Sequence, residues 1–167
     1  LLEPNLASSN FGVSASGAGD VNGDGYFDVV VGADMWESGQ ADEGAAFVYY
    51  GAAAGLNAAA PTIFQRNVVN ARVGKAVSEG GDVNGDGYAD IVVGAPTFEN
   101  GAQLDEGLVF VVRGSSTGLS IGSFDQLEVN GAGYQMGYAV AGGGDVDGDG
   151  YSDVITGAPF ANPTLAT

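Results

Sequence analysis

Apolar positions along this chain fall in short blocks divided by glycine and acidic stretches. Segments 27–33, 89–95 and 152–158 are apolar runs suited to strands buried on both faces. Segments 11–17, 73–79 and 136–142 open with an apolar residue and Gly, then run through small and β-capable residues. Segments 45–50 and 108–113 are rich in Val, Phe and Tyr, and Gly51 and Gly114 close them. A weaker strand signal lies near 62–69 and 123–129, and no helical apolar period of useful length occurs. The pattern predicts an all-β chain.

The blocks repeat. Asp20-Val21-Asn22-Gly23-Asp24-Gly25-Tyr26-Phe27-Asp28 returns from Asp82 to Asp90 and again from Asp145 to Asp153, at offsets of 62 and 63 residues. Eight residues before each loop stands Gly12, Gly74 or Gly137, and after each come Gly32-Ala33-Asp34, Gly94-Ala95-Pro96 and Gly157-Ala158-Pro159. Four strands in about 62 residues make one antiparallel sheet, and radial stacking of such sheets is β-propeller architecture. The expected units are 11–72, 73–135 and the first half of a third at 136–167, preceded at 1–10 by the end of an earlier blade strand. Leu2-Glu3-Pro4-Asn5 stands before Gly12 as Leu127-Glu128-Val129-Asn130 stands before Gly137. That makes roughly 2.5–3 four-stranded blades, against about four to eight in a closed ring. The expectation is a partial propeller, part of a larger one or a ring completed by other copies.

Composition narrows the chemistry. The chain carries 21 acids against 4 Lys plus Arg, for a net charge of -17. No basic patch is available to neutralise phosphates, so nucleic acid and anionic membrane surfaces are poor partners. With no Cys and no His, thiol chemistry, disulfides, zinc fingers, haem and His-based triads are excluded. No apolar run approaches the roughly 18 residues of a membrane-spanning helix.

The acidic loop offers oxygen at positions 1, 3, 5 and 9, with Gly at 4 and 6 to let the backbone curl around one ion. The candidate ligands are Asp20, Asn22, Asp24 and Asp28; Asp82, Asn84, Asp86 and Asp90; and Asp145, Asp147, Asp149 and Asp153. The carbonyls of Tyr26, Tyr88 and Tyr151 at position 7 can add a further oxygen. Hard oxygen donors in this number suit Ca²⁺, whereas Mg²⁺ demands tighter octahedral geometry. An Asn-Gly-Asp-Gly stretch also makes an ordinary turn, but three copies in register favour about three calcium sites. A following strand, and no Glu at position 12, exclude an EF-hand. Each site is expected to bind independently, because repeat stability is mostly a nearest-neighbour sum.

Together, Phe11-Gly12, the Asp20–Asp28 loop, Gly32-Ala33 and their recurrences resemble FG-GAP repeats, the blades of the integrin α-subunit propeller and of many bacterial secreted or surface proteins. The resemblance implies a seven-bladed propeller with Ca²⁺ in the loop joining the first two strands of a blade. It carries over to the fifteen loop residues just named. Val73 and Met136 in place of Phe, and Asp34 in place of Pro, depart from the pattern.

Trp36 and Phe98 recur after the Gly-Ala block and read as plugs between blades, with an aromatic platform for a sugar ring as the alternative. Asp42-Glu43 and Asp105-Glu106 read as a solvated acidic loop, with a second cation site as the alternative. Catalysis has little to stand on: Lys75 is the only Lys and lies beside no distinctive Ser motif, so no enzyme is expected. Two functions fit. One is a calcium-binding module of an extracellular or cell-surface protein that contacts a protein or glycan in adhesion. The other is a structural subunit self-associating through open blade edges into a filament or layer.

Overall fold

The computed structural model describes residues 8–101 and 103–162, so the strand end expected at Leu2–Asn5 lies outside it. Strands β1 (Phe11–Gly19), β2 (Asp28–Ala33), β3 (Ala45–Tyr49) and β4 (Thr62–Gln65) form one antiparallel sheet in that order. A second sheet repeats it with β5 (Ala76–Gly81), β6 (Asp90–Ala95), β7 (Leu108–Val112) and β8 (Phe124–Leu127). A third pairs β9 (Ala139–Gly144) with β10 (Asp153–Gly157). The described residues contain strands and turns and no helix, as the apolar pattern predicted.

β5 and β9 begin three residues later than the apolar-Gly signature suggested. Arg72 and Gly74, at φ 54° and 82°, turn the chain out of extended geometry, as Gln135 and Gly137 do at 53° and 83°. The residues between them reach backwards instead. Val73 bridges in parallel to Gly44, and Met136 to Gly107.

Side chains alternate across each sheet with period 2. On β3, Ala46 and Val48 face one way, Ala45, Phe47 and Tyr49 the other. The first set joins Val30 and Phe64 to meet Ile91, Val93, Leu108, Phe110 and Val112 of the second sheet, making the largest core. Val92 and Val109, on the far side of the second sheet, pack with Val140 and Val154 of the third. Each Val, Leu, Ile or Phe fully buried in this way contributes about 1.5–3 kcal/mol. Phe110 is the hub, with Phe64, Phe98 and Phe124 edge-on at 5.3, 5.7 and 5.6 Å. Arg66, leaving the first sheet, lies 4.5 Å above Phe124 in the second. Phe98 is buried against Phe110, and Trp36 sits edge-on at 5.8 Å from Phe47. Phe98 thus lies in the core between the first two sheets, as a plug would, while Trp36 is half-buried against the cluster of its own blade that holds Phe47.

The innermost strands β1, β5 and β9 lie side by side, so the sheets fan from one edge as propeller blades do. Two glycines make each joint. A Cβ on Gly32 would fall 1.9 Å from the carbonyl oxygen of Gly74, and one on Gly94 would fall 2.0 Å from that of Gly137. Gly74 and Gly137, of the second and third apolar-Gly signatures, thus rest on the Gly of the preceding Gly-Ala block, and a side chain on Gly32 or Gly94 would force the blades apart. Beside the first joint, Lys75 Nζ pairs with Asp34 at 3.2 Å, and Asn10 Nδ2 donates to the same carboxylate at 2.7 Å. Asp34 is fully buried. Its place in the otherwise Gly-Ala-Pro block is explained by this bond between blades.

Candidate metal centre

The three acidic loops fold alike because each wraps its backbone around its first aspartate. Asp20 Oδ1 accepts the amide of Asp24 at 3.0 Å, and Oδ2 accepts that of Gly25 at 2.8 Å. Asp82 takes the amides of Asp86 and Gly87 at 3.0 and 2.8 Å, and Asp145 those of Asp149 and Gly150 at 3.0 Å each. The position 5 carboxylate then caps the turn, accepting the amide of Tyr26, Tyr88 or Tyr151 at 2.9–3.0 Å. The side-chain oxygen at position 3 accepts the position 5 amide in all three loops. Gly at positions 4 and 6 lets the curl close, with φ of 71° and 88° in the first loop, values that an L side chain resists.

Position 3 separates the loops. Asn22 Nδ2 donates to Asp24 at 3.0 Å, and Asn84 Nδ2 to Asp86 at 2.9 Å. Asp147 has no such donor, and the carboxylate oxygens of Asp145, Asp147 and Asp149 lie within 4.8 Å of one another on the surface. Oxygens held about 2.3–2.6 Å from one ion are at most about twice that distance apart. The donor set, all hard oxygen, therefore fits Ca²⁺ both in chemistry and in span.

Position 9 lies deeper than the other candidate ligands. Asp28 is buried, and its two oxygens accept the amides of Val21 at 2.9 Å and Gly51 at 2.8 Å. Asp90 repeats this with Val83 at 3.0 Å and Gly114 at 2.9 Å. Asp153 holds Val146 at 2.8 Å. Burial pushes the Asp28 and Asp90 carboxyls above their ordinary range; the amide bonds oppose the rise, and the carboxylates at positions 5 and 1 add to it. Gly51 and Gly114 read in the sequence as strand terminators. They also fasten the end of the third strand to the floor of the loop.

Two expectations about acidic residues need correction. Asp105 is exposed and Asp42 half-buried, but Glu43 and Glu106 are fully buried. One oxygen of Glu43 accepts the amide of Ser38, and one of Glu106 that of Asn100 at 2.9 Å. Each Glu therefore closes the loop between the second and third strands of its blade from inside. Asp-Glu reads as solvated because both side chains are polar. The signal that pointed the other way was the recurrence of Glu immediately before Gly44 and Gly107, the residues bridged to the next blade.

The loops also touch each other. The carbonyl of Asp20 accepts the amide of Ala89 at 3.1 Å, and that of Asp82 accepts the amide of Ser152 at 3.0 Å. A Cβ on Gly23 would fall 2.6 Å from the ring of Tyr88, and one on Gly85 would fall 2.6 Å from the ring of Tyr151.

Residues 11–49, 77–104 and 136–166 match the family model described as FG-GAP repeat. Integrin alpha-PS5 of Drosophila melanogaster is 36% identical over 157 residues, which cover 86% of this chain and 14% of that protein. Integrin alpha-7 of Mus musculus and integrin alpha-6 of Homo sapiens are each 34% identical over 159 residues, covering 95% of this chain and 13% of theirs. The chain thus spans about one-seventh of the length of these curated relatives. No helix among the described residues is long and apolar enough to cross a membrane.

Proposed function

This chain belongs to the FG-GAP repeat family, and from that premise we propose that it is a calcium-stabilised blade segment of an extracellular or cell-surface adhesion protein. It binds about three Ca²⁺, one in each acidic loop. The whole protein then contacts a protein or glycan through loops of the propeller, and no residue of this segment has a catalytic role. The observation that carries the reading is the common geometry of the loops. Positions 1, 3 and 5 converge in each, and in the third their oxygens lie within the span of one calcium shell.

The chain's own residues do most of the positioning. The first aspartate of each loop gathers the backbone, and the ninth pins the loop to the sheet. The carboxylates of positions 1 and 5 then stand on one surface with like charge. Bound calcium supplies the positive charge that offsets their repulsion, and a ligand that binds only the folded chain stabilises it by mass action. The gain is roughly 2.7 kcal/mol per site at a hundredfold excess over the dissociation constant. Scanning calorimetry of the 167-residue chain in EDTA and in excess Ca²⁺ tests this. A higher melting temperature in Ca²⁺ is expected, and identical melting in the two buffers overturns the reading.

A further inference from the structure

We infer that adjacent cation loops are joined, and that Tyr88 and Tyr151 are the positioning residues through which the affinity of one loop depends on the next. The inference rests on the calcium reading above and deepens it: that reading needs three sites, not coupled ones.

Tyr88 has two separate duties. Its amide donates to Asp86 at 3.0 Å inside its own loop, and its ring lies against Gly23 at position 4 of the loop before. The next residue, Ala89, donates its amide to the carbonyl of Asp20, whose side chain organises that preceding loop. A second strut runs in parallel. Asp90 of the second loop holds the amide of Gly114, and the adjoining Ser115 donates its amide to the carbonyl of Val21 at 3.0 Å. Tyr151 and Ser152 repeat the first strut, resting the ring on Gly85 and donating to the carbonyl of Asp82.

Two ends of one rigid segment are thus committed to two different ion sites. Ordering the second loop fixes Tyr88 and Ala89, and these hold Gly23 and Asp20 in the curl that the first loop needs. The entropy of ordering the first loop is then partly spent before its own ion arrives, which is positive coupling. The dependence is reciprocal, because coupling between binding free energies has no direction.

Nuclear magnetic resonance reads the three sites separately. The amides of Gly25, Gly87 and Gly150 each bond to the first aspartate of their own loop, so each reports its own occupancy. The 167-residue chain, labelled with nitrogen-15, is titrated with Ca²⁺ as wild type, Tyr88→Ala and Tyr88→Phe. In Tyr88→Ala the Gly25 midpoint is expected to rise about fivefold or more, the lower end of typical intersite coupling. Tyr88→Phe keeps the ring and should leave that midpoint within about twofold of wild type. A Tyr88 that matters only to its own loop moves Gly87 alone, and an unmoved Gly25 in Tyr88→Ala overturns the inference. Should Tyr88→Ala not fold, Tyr151→Ala puts the same question to Gly87, and an unmoved Gly87 overturns it equally. If none of the three resonances responds in the wild type, the calcium reading falls and the coupling with it. Response in the wild type with no transfer between loops removes only the coupling.

Discussion

Replacing Gly94 by Ala tests the blade joint most directly. The new Cβ would lie 2.0 Å from the carbonyl oxygen of Gly137, 2.9 Å from its carbonyl carbon and 3.2 Å from its Cα. A relaxed carbon–oxygen contact is about 3.3 Å, so the second and third blades must separate by roughly 1.3 Å. All three opposing atoms are backbone, and no side chain can swing away. Gly94 has an ordinary φ, so the exchange carries no backbone strain and would by itself stabilise a permissive position by about 0.4–1 kcal/mol. Overpacking costs about 1–3 kcal/mol where side chains can adjust and more where they cannot. A net loss of about 3 kcal/mol corresponds to a fall of about 6–12 °C in melting temperature for a chain of this size. Gly122 is the control: its φ is ordinary and nothing lies within 4 Å of a Cβ there, so Gly122→Ala should match wild type or exceed it slightly. Thermal melts followed by circular dichroism in Ca²⁺ compare the two. If Gly94→Ala melts within about 2 °C of wild type, an effect below 1 kcal/mol, the glycines do not form the joint described.

Other expectations concern polar links between blades and the ions. Lys75→Met leaves the buried Asp34 carboxylate with Asn10 alone, at a cost of about 3 kcal/mol; the added change Asp34→Asn should recover most of it in urea melts. Tyr50→Phe removes a hydroxyl that donates to Thr62 Oγ1 at 2.9 Å and accepts the amide of Leu119 at 2.8 Å. Stranding that amide should cost about 1–3 kcal/mol, read as a lower urea midpoint with an unchanged slope. Chelation with EDTA should lower the melting temperature reversibly, and calcium added back should restore it.

The repeat made much of this fold legible. Its register set the order of the strands, and the spacing of Asp and Asn marked positions 1, 3 and 5 because those side chains meet within one loop, so their geometry is local. Position 9 was legible as an acid but not as an anchor, since its partners Gly51 and Gly114 offer only a backbone amide, which every residue but proline has. The joint between blades escaped for the same reason. Gly32 and Gly74 are motif residues in the sequence, and only the folded chain brings their backbones together. Asp34 stands in the sequence only as a departure from proline, because its partner Lys75 belongs to the next blade, and Glu43 reads as solvated because polarity carries no information about depth.

The joint has a consequence for how such a protein can change over time. Val73 and Met136 occupy the place where the first unit has Phe11, yet both make the same bridge to the blade behind. What connects one unit to the next there is main chain meeting main chain. The fit does not have to be reinvented when the decorations around it drift. A unit can be copied, deleted or exchanged with a distant cousin and keep this main-chain contact if two glycines are kept, so that only the apolar faces between the sheets must be matched anew. Surface positions around the joint can then vary without disturbing that main-chain contact.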